Sequence, residues 1–370
     1  MTTPRHPTPD EMDAIAELND RVFFNGKERE MFRRWPAAFC EENRHNLFVC
    51  VEDGRLLSHV AINVRDVLIE GCATRVACLG SVCTDPAARG RGLATACVEA
   101  ACDQAHGEGC DFVLISGALP IYRRLGAADC GVKLTAAIDG GAAERLARPG
   151  IALVAATPED IPILAALHSQ SPTRFVRPRE DWDGYFSSGM SLNRYATLWR
   201  IQQDGHDAAY AFLTHEPITD GMHDVIECGG EAGALAGGLE ALRQACGGAT
   251  IRLHFGIHET ALLERLQQGG AALTRTHHDF GTTLLLDVPR MVTRLRPAFA
   301  MRAGLAFARS VSAETDGERF TFNAGGESHT VEGKVAAAQF LFGHPEAPRP
   351  EGPLGEAFPV PQPWYGLNYL

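Results

Sequence analysis

The chain has 370 residues, 45% of them apolar and 22% charged, and carries a formal net charge of −12. That length predicts two or three domains with ample material for buried cores. The acidic balance argues against general nucleic-acid binding, and no apolar run is long enough to span a bilayer or to form the core of a signal peptide.

A helix is announced first. Thr8-Pro9-Asp10-Glu11 offers an N-cap, a proline for the first turn and a capping-box acid, ahead of apolar Met12, Ile15, Ala16 and Leu18. "NLFVCVEDGRLLSHVAINV" reads as two strands joined at Asp53-Gly54, and a second hairpin turns near Gly71 into "TRVACLGSVCTD". A helix from Leu93 to His106, stopped by Gly107, leads to the strand "DFVLIS" and a short helix around "PIYRRLG". This order predicts a mixed α/β layer fold.

A second copy follows. Thr157 of "ATPEDIPILAALH" stands 149 positions after Thr8, and Asp204-Gly205 stands 151 positions after Asp53-Gly54. The join falls in "DGGAAERLARPG", residues 139–150, and a third region opens after "GTTLLLDV". It is expected to hold a helix near Pro289 to Ala308, short strands about "DGERFTFNAGG" and the helix "KVAAAQFLFG". The expected division is 1–145, 146–288 and 289–370. The proline-rich tail ends in Trp364, Tyr365, Leu367 and Tyr369, which predicts packing rather than a loose end.

The eleven cysteines are odd in number and lack a C-x-x-C pair, and nine precede residue 131. In settings such as those of Cys78, Cys97 and Cys102 they read as reduced core thiols of a cytoplasmic protein.

The chemistry concentrates in "TDPAARGRGLATA", residues 84–96. Backbone amides from about Gly90 to Ala94 point out of a helix amino terminus, the glycines permit close approach, and Arg89 and Arg91 add positive charge. That is an anion cradle suited to a pyrophosphate. A P-loop is absent, and Gly90-Arg91-Gly92-Leu93-Ala94 is followed by Thr95 where a dinucleotide fingerprint needs Gly or Ala.

The remaining reading is Arg89-x-x-Gly92-x-Ala94 after the strand "SVCTDP", which resembles the acetyl-CoA motif of the GNAT acyltransferases. "IYRRLGA", with Tyr122, is similar to their distal Tyr-x-x-x-Gly segment, with Ala127 in place of the usual aromatic. Tandem units followed by a small α/β end domain resemble the Eis-like multi-domain acetyltransferases. The resemblance implies two GNAT-like mixed-sheet units, a sterol-carrier-like end domain, acetyl-CoA as cosubstrate without a metal, and assembly into a homo-oligomer such as a hexamer. It implies that the strand around Val82, Cys83 and Thr84 holds the cofactor together with Arg89, Gly90, Arg91, Gly92, Leu93 and Ala94, and that Ser116 touches its pantetheine arm. Tyr122 becomes the proton donor to the departing thiolate. The terminal carboxylate of Leu370 reaches the active site, as base or as anchor for an ammonium group. The implied reaction is N-acetylation of a cationic acceptor, aminoglycoside-, polyamine- or lysine-like. A competing reading is a non-catalytic protein that senses acyl-CoA or carries an apolar ligand.

Other groups point elsewhere and carry less. His254-x-x-x-His258-Glu259 and His277-His278-Asp279 lack convincing further metal ligands, and the glycines of "GGEAGALAGG" read as helix packing. In the second unit Glu227 and Glu231 are expected to repel a pyrophosphate, which makes that unit a structural copy without the site.

Overall fold

A computed structural model describes residues 3–370 except 219, 279 and 280. The Glu11 carboxylate accepts from the Thr8 amide at 2.8 Å, closing the turn that leads into α1 (Met12–Phe23), and α2 (Glu30–Arg34) follows. β1 (Leu47–Glu52), β2 (Arg55–Ile69) and β3 (Cys72–Thr84) form an antiparallel meander. Its turns sit at Asp53-Gly54 and Glu70-Gly71, where all four residues have positive φ, the tight hairpin geometry that matches strand twist. α3 (Leu93–Gly107) packs Cys97, Val98, Ala101 and Ala105 onto this sheet, and β4 (Phe112–Ile115) returns parallel to β3. α4 (Pro120–Arg124) closes the first unit's linear run.

The next strand departs from that plan. β5 (Val132–Ile138) enters a second sheet. Along the chain come α5 (Gly140–Leu146), β6 (Ile151–Ala155), α6 (Ile161–His168), β7 (Arg174–Phe175), α7 (Arg179–Ser188) and β8 (Met190–Ser191). Then follow β9 (Arg194–Gln203), β10 (His206–Thr214), β11 (His223–Gly230), α8 (Ala232–Ala245), β12 (Ile251–Gly256), α9 (Thr260–Gln268), β13 (Ala272–His277) and β14 (Thr282–Leu285). The second sheet runs β13-β5-β12-β11-β10-β9-β6, whereas the first runs β1-β2-β3-β4-β14, with β7 added beside β2. Each sheet thus takes a strand from the other's stretch of sequence, and a linear boundary near residue 145 crosses both. The copy is visible locally: Asp160 accepts from the Thr157 amide at 2.9 Å, and Asp204-Gly205 turns β9 into β10 with positive φ.

The third region is α10 (Val288–Arg294), α11 (Arg296–Ser310), a three-stranded sheet of β15 (Ser312–Thr315), β16 (Arg319–Ala324) and β17 (Glu327–Glu332), α12 (Gly333–Phe342) and α13 (Gly352–Ala357). The single helix expected near Pro289–Ala308 is divided at Leu295, and α11 is interrupted at Ala303 and Gly304, where Gly304 adopts φ +89°. Beyond α13 the tail runs back across both sheets, with Phe358, Val360, Tyr365 and Leu370 buried. Among the described residues no helix is long and apolar enough to cross a membrane.

Candidate active site

β3 and β4 pair from Val76–Phe112 to Leu79–Ile115, with a last rung from the Ser116 amide to the Leu79 carbonyl at 3.0 Å. There they part. β3 carries one extra residue against β2, since Gly80 faces Ala61 while Cys83 faces His59, and Ser81 in the bulge takes φ +53°. Such a φ is unusual for a serine and needs local support. Ser81 Oγ donates to Asn19 Oδ1 at 2.5 Å, and buried Asn19 is itself tied to the Ile15 carbonyl of α1. His59 packs behind the bulge, where burial lowers its pKa to about 3 and keeps it neutral. The β4 side of β3 from Ser81 through Val82, Cys83 and Thr84 is thereby left without a strand beside it.

The turn after β3 is rigidly aimed. Asp85 is buried, accepts from the Ala87 amide at 2.9 Å, and pairs with Arg21 at 3.0 Å and Arg55 at 2.8 Å. Gly90 and Gly92 have φ of +78° and +76°, and a Cβ on either would meet nothing within 4 Å. Glycine is required there by backbone conformation, beside open space. Gly92 is the N-cap of α3 and supplies no side-chain cap, so the amides of Leu93 and Ala94 open its amino end. Arg89 is exposed and makes no ion pair among the described residues. Arg91 is held by Glu52 at 2.7 Å, so the two arginines are not equivalent. An open cradle, unpaired helix amides and a free guanidinium fit the diphosphate of a coenzyme.

At the far end of the slot lies Leu370. Its carbonyl would overlap a Cβ placed on Gly80, and its carbonyl carbon would lie 2.6 Å and Ser116 Oγ 2.8 Å from that Cβ. Only glycine fits between strand and tail, and the glycine inside "CLGSVCT" was the available sequence signal for it. Tyr122 is buried beside Gly117, whose Cβ would come 3.4 Å from the ring. Burial, and secondarily Tyr369, pushes its phenol up to about 12, so it stays protonated at neutral pH. Ser116 Oγ donates to the Leu79 carbonyl at 3.3 Å, and burial raises the pKa of the Tyr369 phenol. The slot therefore brings together Val82 to Thr84, Ser116, the Tyr122 region and Leu370, with the cradle residues at its other end.

The tail is fastened by groups that sequence reading did not connect. Trp35 Nε1 donates to the Tyr369 carbonyl at 3.0 Å. Asn368 donates to Asp181 at 2.7 Å and accepts from Arg177 at 2.8 Å, and the Leu367 amide donates to Glu227 at 3.1 Å. Trp364 Nε1 donates to the Ile226 carbonyl at 2.7 Å. Glu227 and Arg177 form a buried double-bonded pair, with Tyr210 donating to Glu227 at 2.9 Å. Burial pushes the Glu227 carboxyl up, but Arg177's charge and hydrogen bonds outweigh this and hold it below its ordinary value. Glu227 thus acts as an anchor for the tail. The neighbouring glycines offer no cradle: a Cβ on Gly229 would lie 2.6 Å from Tyr210 Cε1, and one on Gly230 would overlap the Ala208 carbonyl.

Between the α2 segment, α7, the Met190–Asn193 turn and the tail lies a small cleft of about 40 Å³ that is lined on one side by Leu370. Of the histidines considered for a metal, His254 is bonded to Asp224 at 2.6 Å and meets Lys133 at 3.3 Å, while His258 faces Glu259 at 3.2 Å. Asp279 lies outside the described residues.

The description "Acetyltransferase (GNAT) domain" matches residues 3–129. No curated protein matches the chain. In fold it is similar to Eis1 from Mycobacterium abscessus, at 16% identity and TM-score 0.61, covering 98% of each chain. It is also similar to a GCN5-related N-acetyltransferase from Anabaena variabilis, at 14% identity and TM-score 0.61, covering 90% of this chain and 86% of that one. A protein from Enterococcus faecalis described as a probable N-acyltransferase gives 13% identity and TM-score 0.63, covering 92% and 90%.

Proposed function

We propose that the chain, whose residues 3–129 match the acetyltransferase (GNAT) domain, moves an acetyl group from acetyl-CoA to a primary amine, with one active site per chain in the first sheet. The observation that carries this reading is the slot between β3 and β4, with an open anion cradle at one end and Leu370 and Tyr122 near the other. The second unit is read as a copy that holds the tail, and residues 289–370 as a sterol-carrier-like domain that delivers it. Assembly into a homo-oligomer, a hexamer by family resemblance, and a cytoplasmic location belong to the same proposal; sizing chromatography tests the former.

Acetyl-CoA, when bound, supplies an acyl group activated as a thioester. Arg89 and the amides of Gly90, Gly92, Leu93 and Ala94 hold its diphosphate, with Arg91 contributing less because Glu52 already pairs it. The unpaired edge at Val82, Cys83 and Thr84 offers backbone groups to the pantetheine arm, and Ser116 flanks it. The edge amides also face negative charge developing on the acyl oxygen. The acceptor enters by the cleft that ends at Leu370. A carboxylate there has an intrinsic pKa of roughly 3.5, which suits it better to anchoring an ammonium group than to strong base catalysis. The amine attacks in its neutral form after giving its ammonium proton to water. Tyr122, protonated because it is buried, donates a proton to the departing sulfur and recovers one from the newly acylated nitrogen. Holding amine and acyl group in line supplies much of the rate.

The test is amine-dependent thiol release from acetyl-CoA by the wild type, Tyr122→Phe and a chain lacking Leu370. Release that falls sharply in Tyr122→Phe while acetyl-CoA still binds supports the assignment. Tight acetyl-CoA binding with no release for any amine would overturn it.

A further inference from the structure

The acidic chain suggests a cationic acceptor, yet an arginine, Arg34, lines the acceptor cleft. Glu30 lies between Arg33 at 2.7 Å and Arg34 at 2.8 Å, so one carboxylate serves two guanidiniums. Arg34 lines the cleft, and its side chain is only 22% exposed. It is steadied over the rings of Phe24 and Tyr195, at 4.9 and 5.8 Å, and reaches Asn193 at a long 3.4 Å. Its Nη2 has no hydrogen-bond partner among the described residues.

The acids nearby are committed elsewhere. Asp181, which also lines the cleft, is bonded to Arg65 at 2.6 Å and to Asn368 at 2.7 Å. Asp20 accepts from the amides of Arg29, Glu30 and Met31 and caps α2 from beneath. Asp183 on α7 faces Arg179 at 3.2 Å. Arg194 follows Asn193 in the chain, is exposed, and makes no ion pair among the described residues. Around Arg34 two guanidiniums share one carboxylate, although the chain as a whole is acidic.

Resting on the acetyl-transfer reading above, we propose that Arg34 is a specificity-determining residue that selects amines carrying an anionic group, such as a carboxylate, and disfavours polycations. The reacting amine lies at the Leu370 end, and the anion of the same molecule meets the free Nη2 edge of the Arg34 guanidinium. That edge can donate a charge-assisted hydrogen bond to a carboxylate, stronger than a neutral one. A polyamine or aminoglycoside would place a second ammonium against the same guanidinium. Net charge sets the long-range field; the groups lining the cleft set the choice of acceptor.

The experiment compares kcat/KM for thiol release with three series of matched chain lengths: linear ω-amino carboxylates, alkyl monoamines and α,ω-diamines. The expected order is amino carboxylates, then monoamines, then diamines, with about tenfold between the first two, the size of one charge-assisted hydrogen bond. Arg34→Gln should bring amino carboxylates and monoamines together, and Arg34→Glu should move diamines ahead. Acetyl-CoA affinity, which Arg34 does not touch, serves as the fold control. Wild type that prefers diamines, or Arg34→Gln that keeps the wild-type ratio, overturns the selectivity while leaving acetyl transfer intact. No release with any series overturns both.

Discussion

Gly80→Ala tests the join between the tail and β3 with a single methyl group. Gly80 is not in the left-handed region, so alanine adopts its backbone without strain, and any effect belongs to the Cβ. That atom would overlap the Leu370 carbonyl and come within 2.6 Å of its carbon. Either the strand absorbs it, at the roughly 1–3 kcal/mol typical of overpacking, or the tail withdraws. Withdrawal weakens the Trp35–Tyr369 and Asn368–Asp181 hydrogen bonds, each worth about 1 kcal/mol. Displacing Leu370 by about 1 Å should reduce kcat/KM by about 100-fold, the sensitivity expected where geometry supplies the rate. Thiol release and thermal melting of Gly80→Ala are measured in the full chain and in a chain lacking Leu370. If the clash is the cause, the substitution costs activity in the full chain and little more once Leu370 is gone. Full-length Gly80→Ala within twofold of wild type would refute the placement of the tail.

Three further outcomes are expected. Arg89→Gln should weaken acetyl-CoA binding about tenfold and flatten its salt dependence, while Arg91→Gln, whose native partner is Glu52, should do less; titration calorimetry at two ionic strengths separates them. His168 is buried, and desolvation with the charge of Arg177 lowers its pKa to about 3. Its folded pKa lies below the unfolded value of 6.5, so the stability it contributes is present above pH 6.5 and is lost as pH falls toward 3, by up to about 1.4 kcal/mol per unit. His168→Gln should therefore show a smaller fall in Tm between pH 7 and pH 5 than the wild type. Glu227→Gln leaves the Arg177 charge buried without its counter-ion, a loss of about 3–5 kcal/mol, and should expose the tail to limited proteolysis. A tail as resistant as in the wild type would count against Glu227 as its anchor.

What the sequence disclosed and what it hid divide along physical lines. The cradle was legible because its causes are local: glycines that tolerate positive φ, a strand before them and a helix after. The duplicated capping boxes and Asp-Gly turns were legible for the same reason. Strand exchange was not. "GTTLLLDV" reads as a strand ending the second unit, "VKLTAAI" does not read as a strand, and nothing local says that each pairs across the molecule. Glu227 shows a related difficulty. Read alone it is a charge that repels a diphosphate; with Arg177, Tyr210 and the Leu367 amide around it, it is a clamp.

The two sheets share a plan and have gone different ways at corresponding places. In the first, the glycines after β3 face open space and the helix amides behind them remain available. In the second, the glycines after β11 lie against Tyr210 and the Ala208 carbonyl, and the ionisable groups nearby are spent on each other and on the tail. A site that binds a ligand needs unsatisfied polar groups kept dry and in place, whereas a clamp needs them satisfied. The second unit takes the latter course, and its polar groups hold Leu370 against Gly80. The exchanged strands β5 and β14 make that hold effective, because the sheet that carries the slot and the sheet that carries the clamp cannot move apart without breaking backbone ladders in both. The copy without a cradle therefore contributes to the slot by fixing the position of the tail.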